Sequence, residues 1–155
     1  MVEKVRKENR NKEFKKIERY LRNYKNYKTG LITLKKQLDF IMPSMTASYE
    51  ILEGSTGTFN IKNETEQFAI ERIEGKRALV IHEDIQRYKI IIESIDEALK
   101  ELDDIEKTFV QLRYFERRTI QQTSIEIGYS EKYVFNLRNQ VLDKLLISLK
   151  GLIQF

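Results

Sequence analysis

The feature that most limits the fold of this chain is a run of apolar residues at Ala78, Ile81, Ile85, Tyr88, Ile92, Ile95, Leu99 and Leu102, spaced alternately by three and four. Only a helix carries such residues along one side, and a seam sustained this long must be covered by another helix. A second stripe with the same steps lies upstream at Tyr20, Tyr24, Tyr27, Leu31, Leu34, Leu38 and Ile41, with Phe14 and Ile17 before it. The two stripes can cover each other as an antiparallel pair within one chain. They can also join two copies of the chain as a homodimer, but pairing within the chain is the simpler reading. One proline, Pro43, and six glycines in 155 residues leave little to interrupt helices. The spacing therefore predicts an all-α fold: a helical hairpin or coiled-coil-like bundle with a long helix over residues 1–102, then a trihelical module over 103–155.

Two breaks are expected in the first part. Gly30 can divide the first stripe into two helices. Near residues 43–62 the periodicity fails in MPSMTASYEILEGSTGTFNIK, where hydroxyl side chains compete for backbone hydrogen bonds, and a long flexible loop is expected. Asn63 with Glu66 three residues later marks the next helix start.

Composition narrows the function. No cysteine is present, so disulfides and thiolate metal sites are excluded. No apolar run approaches the ~18 residues of a membrane span. The opening MVEKVRKENR lacks the apolar core of a signal peptide, and a cytoplasmic protein is expected. The formal charge of +4 hides an asymmetry. Residues 1–36 carry thirteen Lys/Arg against four Glu, 37–103 carry seven against fourteen acids, and 104–155 carry eight against six. Basic segments attract phosphate, although a charge run also serves simply as a solvated helix face.

Catalytic signals are missing. No Gly-rich phosphate loop or Ser/His/Asp set appears, and the one histidine, His82, adjoins Glu83 and Asp84 at positions that point different ways on a helix. The paired acids Asp103-Asp104 read as helix caps. No enzyme, no cofactor and no metal site is expected.

The C-terminal third carries the most specific pattern. Ile105, Phe109 and Leu112 mark the buried side of one helix, ending near Glu116-Arg117-Arg118. Thr119 is placed to cap a second, Ile120 to Ile127, which Gly128 stops. Ser130 then caps a third, with Val134, Leu137, Val141 and Leu145 facing inward. A small residue where two helices touch (Ser124) and a glycine in the turn between them are what a helix-turn-helix requires. Its outer face would carry Glu131, Lys132, Tyr133, Phe135, Asn136, Arg138 and Asn139, which include side chains able to read base edges. Arg117, Arg118, Lys144 and the Thr119 hydroxyl would reach phosphates.

These residues, LRYFERRTIQQTSIEIGYSEKYVFNLRNQVLDKLL, resemble region 4 of sigma-70-type factors, the module that reads the −35 promoter element. The likeness rests on Leu112-Arg113-Tyr114-Phe115, Thr119, Glu126-Ile127-Gly128-Tyr129-Ser130, Val134 and Leu142-Asp143-Lys144-Leu145, and covers about the last 50 residues. Thr123, Ser124, Ile125 and Phe135 depart from it, so base preference does not transfer. Alignment with the family puts Glu131, Lys132, Phe135 and Asn136 at the base-reading positions. The whole layout also resembles small phage and prophage regulators of the ArpU/RinA type. Nothing resembles the aromatic module that melts the −10 element. The resemblance thus implies a transcription activator that contacts duplex DNA and RNA polymerase together. The alternatives are a small terminase subunit for phage DNA packaging, which would form a ring of eight or more chains, and a protein-interaction module that binds no DNA.

Overall fold

A computed structural model describes residues 2–50 and 61–154. Along these run α1 (Val2–Glu50), α2 (Ile61–Lys100), α3 (Asp104–Val110), a π-helical turn (Gln111–Phe115), α4 (Ile120–Ile127), α5 (Glu131–Ser148) and the short α6 (Lys150–Ile153). Among the described residues there is no strand, and the fold is all-α as the spacing predicts. The chain divides into two compact units. One joins Met1–Lys28 to Ile90–Phe155 and the other is Thr29–Lys89. The partition differs from a cut between 102 and 103, because the first turns of α1 pack with the C-terminal helices.

In the unit Thr29–Lys89, Ile41, Ile81 and Ile85 are buried, with Leu31, Leu34, Leu38 and Ala78 packed on them. Gly30 meets Tyr88, while later residues of α1 share this cluster with earlier residues of α2, so the two segments run antiparallel within the chain. His82 is exposed on the outer side.

The expected breaks lie elsewhere. α1 passes through Gly30 without interruption. A Cβ at Gly30 would stand 2.6 Å from Tyr88 Cε2, so the glycine makes room for a ring on α2 and has no part in ending a helix. α1 also continues past Pro43 to Glu50, so the first part of the expected loop is helical backbone. Hydroxyl side chains lower helix propensity by only about half a kcal/mol each, which weakens a helix without stopping it. The stronger stop signals, Gly54 and Gly57, lie in 51–60, outside the described residues. The side chains of Asn63 and Glu66, expected to cap, also lie outside them.

In the other unit α1 buries Phe14, Ile17, Leu21 and Tyr24. α2 contributes Ile91, Ile92, Ile95 and Ala98, and Leu102 just after it is buried too, a broader face than the heptad seam alone. The widening has a cause, since α1 has neighbours on two sides here. The Tyr24 hydroxyl donates to Asp96 on α2. Tyr20 Oη donates to the Leu152 carbonyl at 3.2 Å and Lys16 Nζ to that of Ile153 at 3.0 Å. The Tyr24 ring stacks on Phe115 with centroids 4.9 Å apart.

The Gly30–Tyr88 approach makes a double-mutant test. Gly→Ala inside a helix normally stabilises by about 1 kcal/mol. Gly30→Ala should yield less than that in the native chain and recover the full gain in a Tyr88→Ala background, as read by denaturant unfolding. Equal gains in both backgrounds would contradict the packing role.

Candidate nucleic-acid interface

The site is built from the end of α2 onward, and each turn of it has a hydrogen-bonding reason. Asp103 starts α3, where its N–H donates to Glu106 Oε2 at 2.9 Å. Glu106 is buried, and Lys144 Nζ from α5 bonds the same carboxylate oxygen at 2.8 Å. After α3 the backbone widens into the π turn, closed by the Glu116 N–H on the Gln111 carbonyl at 2.9 Å. Arg117 then takes a left-handed conformation, φ 59°, which costs energy in a non-glycine residue. This reversal aims the chain into α4.

Thr119 caps α4 as the sequence predicts. Its Oγ1 accepts from the Gln122 N–H at 3.1 Å, and its own N–H donates to Gln122 Oε1 at 3.0 Å. Two departures from the family pattern are explained inside α4. Thr123 is fully buried, yet its hydroxyl donates to the Thr119 carbonyl at 2.8 Å. Ser124, also buried, donates to the Gln121 carbonyl at 2.7 Å. Both side chains fit the helix contact without leaving a polar atom unpaired. Gly128 ends α4 at φ 81°, with its N–H on the Ser124 carbonyl at 2.9 Å. Ser130 caps α5 by accepting from the Tyr133 N–H at 3.2 Å.

α5 is buried along Val134, Leu137, Val141, Leu142 and Leu145. Its outer face holds Glu131, Lys132, Tyr133, Phe135 and Asn136, all exposed. Phe135 is 53% exposed, although the Arg138 guanidinium lies 5.7 Å from its ring centroid. Tyr133 stacks on Tyr129 with centroids 4.3 Å apart, which draws its ring back toward the turn.

The remaining expected contact residues are placed differently. Arg138 is half-buried, with Nε 2.9 Å and a terminal nitrogen 2.8 Å from Glu18 Oε1 on α1. It belongs to the scaffold and is not on the free face, because α1 covers that side of α5. Asn139 is half-buried beside Arg138, accepting from it at 3.3 Å. Lys144 is spent on Glu106 at the start of α3. Arg118 is held by Glu116 at 3.0 Å and Glu126 at 2.9 Å. Arg117 is exposed, with only a 3.5 Å contact to the Arg22 carbonyl. Thr119 uses its oxygen as a cap acceptor and keeps its O–H for donation.

Sequence reasoning missed Glu18. It accepts from Tyr114 Oη at 2.9 Å as well as from Arg138, and is buried. A signal existed: Phe14, Glu18 and Leu21 stand at helical spacing, so a carboxylate interrupts an apolar face. The Tyr114 phenol is pushed well above its ordinary value by burial first, then by the charge of Glu18 and its hydrogen bond. A pKa raised on folding stabilises the fold fully below the ordinary phenol value of 10 and loses that contribution as pH rises beyond it. The protein should therefore lose stability above about pH 10. Tyr114→Phe should flatten that alkaline loss while costing about 1–3 kcal/mol at neutral pH, because it removes a bond to a charged group. An unchanged alkaline profile in thermal melts would contradict this assignment.

The comparisons with known proteins bear on this same segment. No curated protein and no solved structure matches the chain. The family model described as Sigma-70, region 4 matches residues 98–145, from the end of α2 through most of α5. Residues 98–145 are thus a helix-turn-helix domain of the Sigma-70 region 4 kind, a DNA-binding module of transcription proteins.

Proposed function

We propose that this protein is a sequence-specific DNA-binding transcription regulator of phage or prophage type, an activator that works with RNA polymerase and catalyses no reaction itself. One observation carries the reading. The first half of α5 exposes Glu131, Lys132, Phe135 and Asn136, while Val134 and Leu137 between them are buried. A helix held in this way can enter a major groove without rearranging its own core.

In the groove the four side chains have distinct roles. Asn136 can pair with an adenine edge and Lys132 can donate to guanine. Phe135 suits a thymine methyl and Glu131 a cytosine amino group. Arg117 and the Thr119 hydroxyl, at the start of α4, fit phosphates of the adjoining backbone, which orient the domain without reading sequence. Arg118 contributes less charge, since two carboxylates already neutralise it. Likeness to region 4 supports a joint contact with polymerase, and the layout of ArpU/RinA-type regulators supports the activator role.

Selection of bound duplexes from a random pool should return one enriched motif, and a pool without enrichment would contradict the reading. On the selected site, Lys132→Ala with Asn136→Ala should weaken binding by about 1–3 kcal/mol per side chain and relax preference at two base pairs. A module that acts only through protein contacts would keep its activity in this double variant.

A further inference from the structure

Beside the helix-turn-helix lies a cleft of about 840 Å³ that the DNA-reading face of α5 does not include. Lys15, Arg19 and Arg22 line it from one side of α1, and Arg113 and Arg117 line it from the π turn and the residues after it. Its one acidic wall residue, Glu18, is already bound by Arg138 and Tyr114. Among the described residues no carboxylate pairs with Lys15, Arg19 or Arg22. The Nε of Arg113 is buried with no hydrogen-bond partner, although another nitrogen of the same guanidinium donates to the Arg118 carbonyl at 2.7 Å. Arg117 holds its place through a left-handed backbone, and the π turn before it departs from regular helix. Such irregular backbone is kept where a site requires it. Five basic side chains gathered around one concavity, whose single carboxylate is already bound, favour an anion there.

We propose that this cleft binds phosphate groups of the DNA backbone and extends the footprint onto α1, outside the family-matched segment. The inference rests on the DNA-binding reading of α5. Phosphate fits because guanidinium groups hold its oxygens through two parallel N–H bonds. The DNA backbone is the source because of the cleft's place. Arg117 lies two residues before Thr119, the cap of α4, and in this motif the first helix crosses the backbone. Glu18 in the wall is the partner of Arg138 on α5. The cleft therefore adjoins both helices of the motif. Lys15, Arg19 and Arg22 recur at steps of four and three, so one edge of α1 can follow a strand. The basic N-terminal segment gains a specific purpose.

The test compares the full-length wild type with Arg19→Ala/Arg22→Ala on the selected duplex over a range of salt. Both side chains are exposed, and alanine favours helix, so an unchanged melt serves as the control for folding. The variant should bind on the order of 10-fold more weakly, its log K against log salt slope should fall by about 1–2, and its preferred motif should not change. Arg19→Lys/Arg22→Lys should keep most of the slope. Affinity and slope equal to wild type, with the Lys132→Ala/Asn136→Ala variant still impaired, would overturn the cleft and leave the reading of α5 standing. A wild type that binds no duplex would sink both. Inorganic tripolyphosphate, titrated by calorimetry, separates the sources. Displacement of it by the duplex supports a backbone site, whereas binding that the duplex leaves untouched would reassign the cleft to a soluble phosphate ligand.

Discussion

The buried carboxylate of Glu18 is the polar contact that ties the helix-turn-helix part of the molecule to the middle of its first helix. Removing a charge from water costs several kcal/mol unless donors replace the water. Here Tyr114 and two nitrogens of Arg138 do so, from the π turn and from α5. A pair of this sort adds little net stability over apolar packing of equal volume, but breaking it leaves a buried charge and costs about 3–5 kcal/mol. Its effect is geometric. Three elements distant in sequence must meet at one oxygen, and that fixes how α1 lies along α5. The buried side chains of Ile17, Leu21, Leu137 and Val141 add apolar burial, which by itself would tolerate sliding.

That constraint divides α5 along its length. From Arg138 onward most of its polar groups are committed to the protein, Gln140 excepted: Arg138 to Glu18, Asn139 beside it, Asp143 to Arg10 and Lys144 to Glu106. Before Arg138 they are free. The surface offered to a groove is accordingly short, about two turns, and is flanked by basic groups from α1 and from the residues preceding α4. Recognition and attachment are thereby separated. In the proposed function, base-edge chemistry falls to Glu131 to Asn136, and charge attraction to groups that read no sequence.

Much of this was legible from spacing. Caps, glycine stops and apolar steps are local, and Thr119, Gly128 and Ser130 take the conformations that their chemistry demands. The inward set Val134, Leu137, Val141 and Leu145 follows directly from helical periodicity. What spacing does not encode is which polar residues find partners far along the chain. Arg138 and Glu18 are 120 positions apart, so a residue read as a base contact is in fact an anchor. Lys144 was misplaced for the same reason. Gly30 shows the complementary failure. Its freedom suggests a break, but its small size is what the neighbouring helix uses. Broad faces such as the addition of Leu21, Ile91 and Ala98 arise only when a helix has two neighbours, which no single heptad count reveals.

The picture that results is a region 4-type helix-turn-helix braced by a long helix that lies outside the family-matched segment. The brace keeps the second half of α5 occupied so that the first half can be presented without strain. Titration of isotopically labelled protein with the selected duplex, followed by backbone amide and arginine side-chain NMR signals, tests this most directly. The account predicts large shifts at 131–136 and around 117–119, with the Arg138 side-chain signal unmoved by DNA. A strong Arg138 shift with little change at Lys132 and Asn136 would show that the anchor opens and that a different face meets the groove.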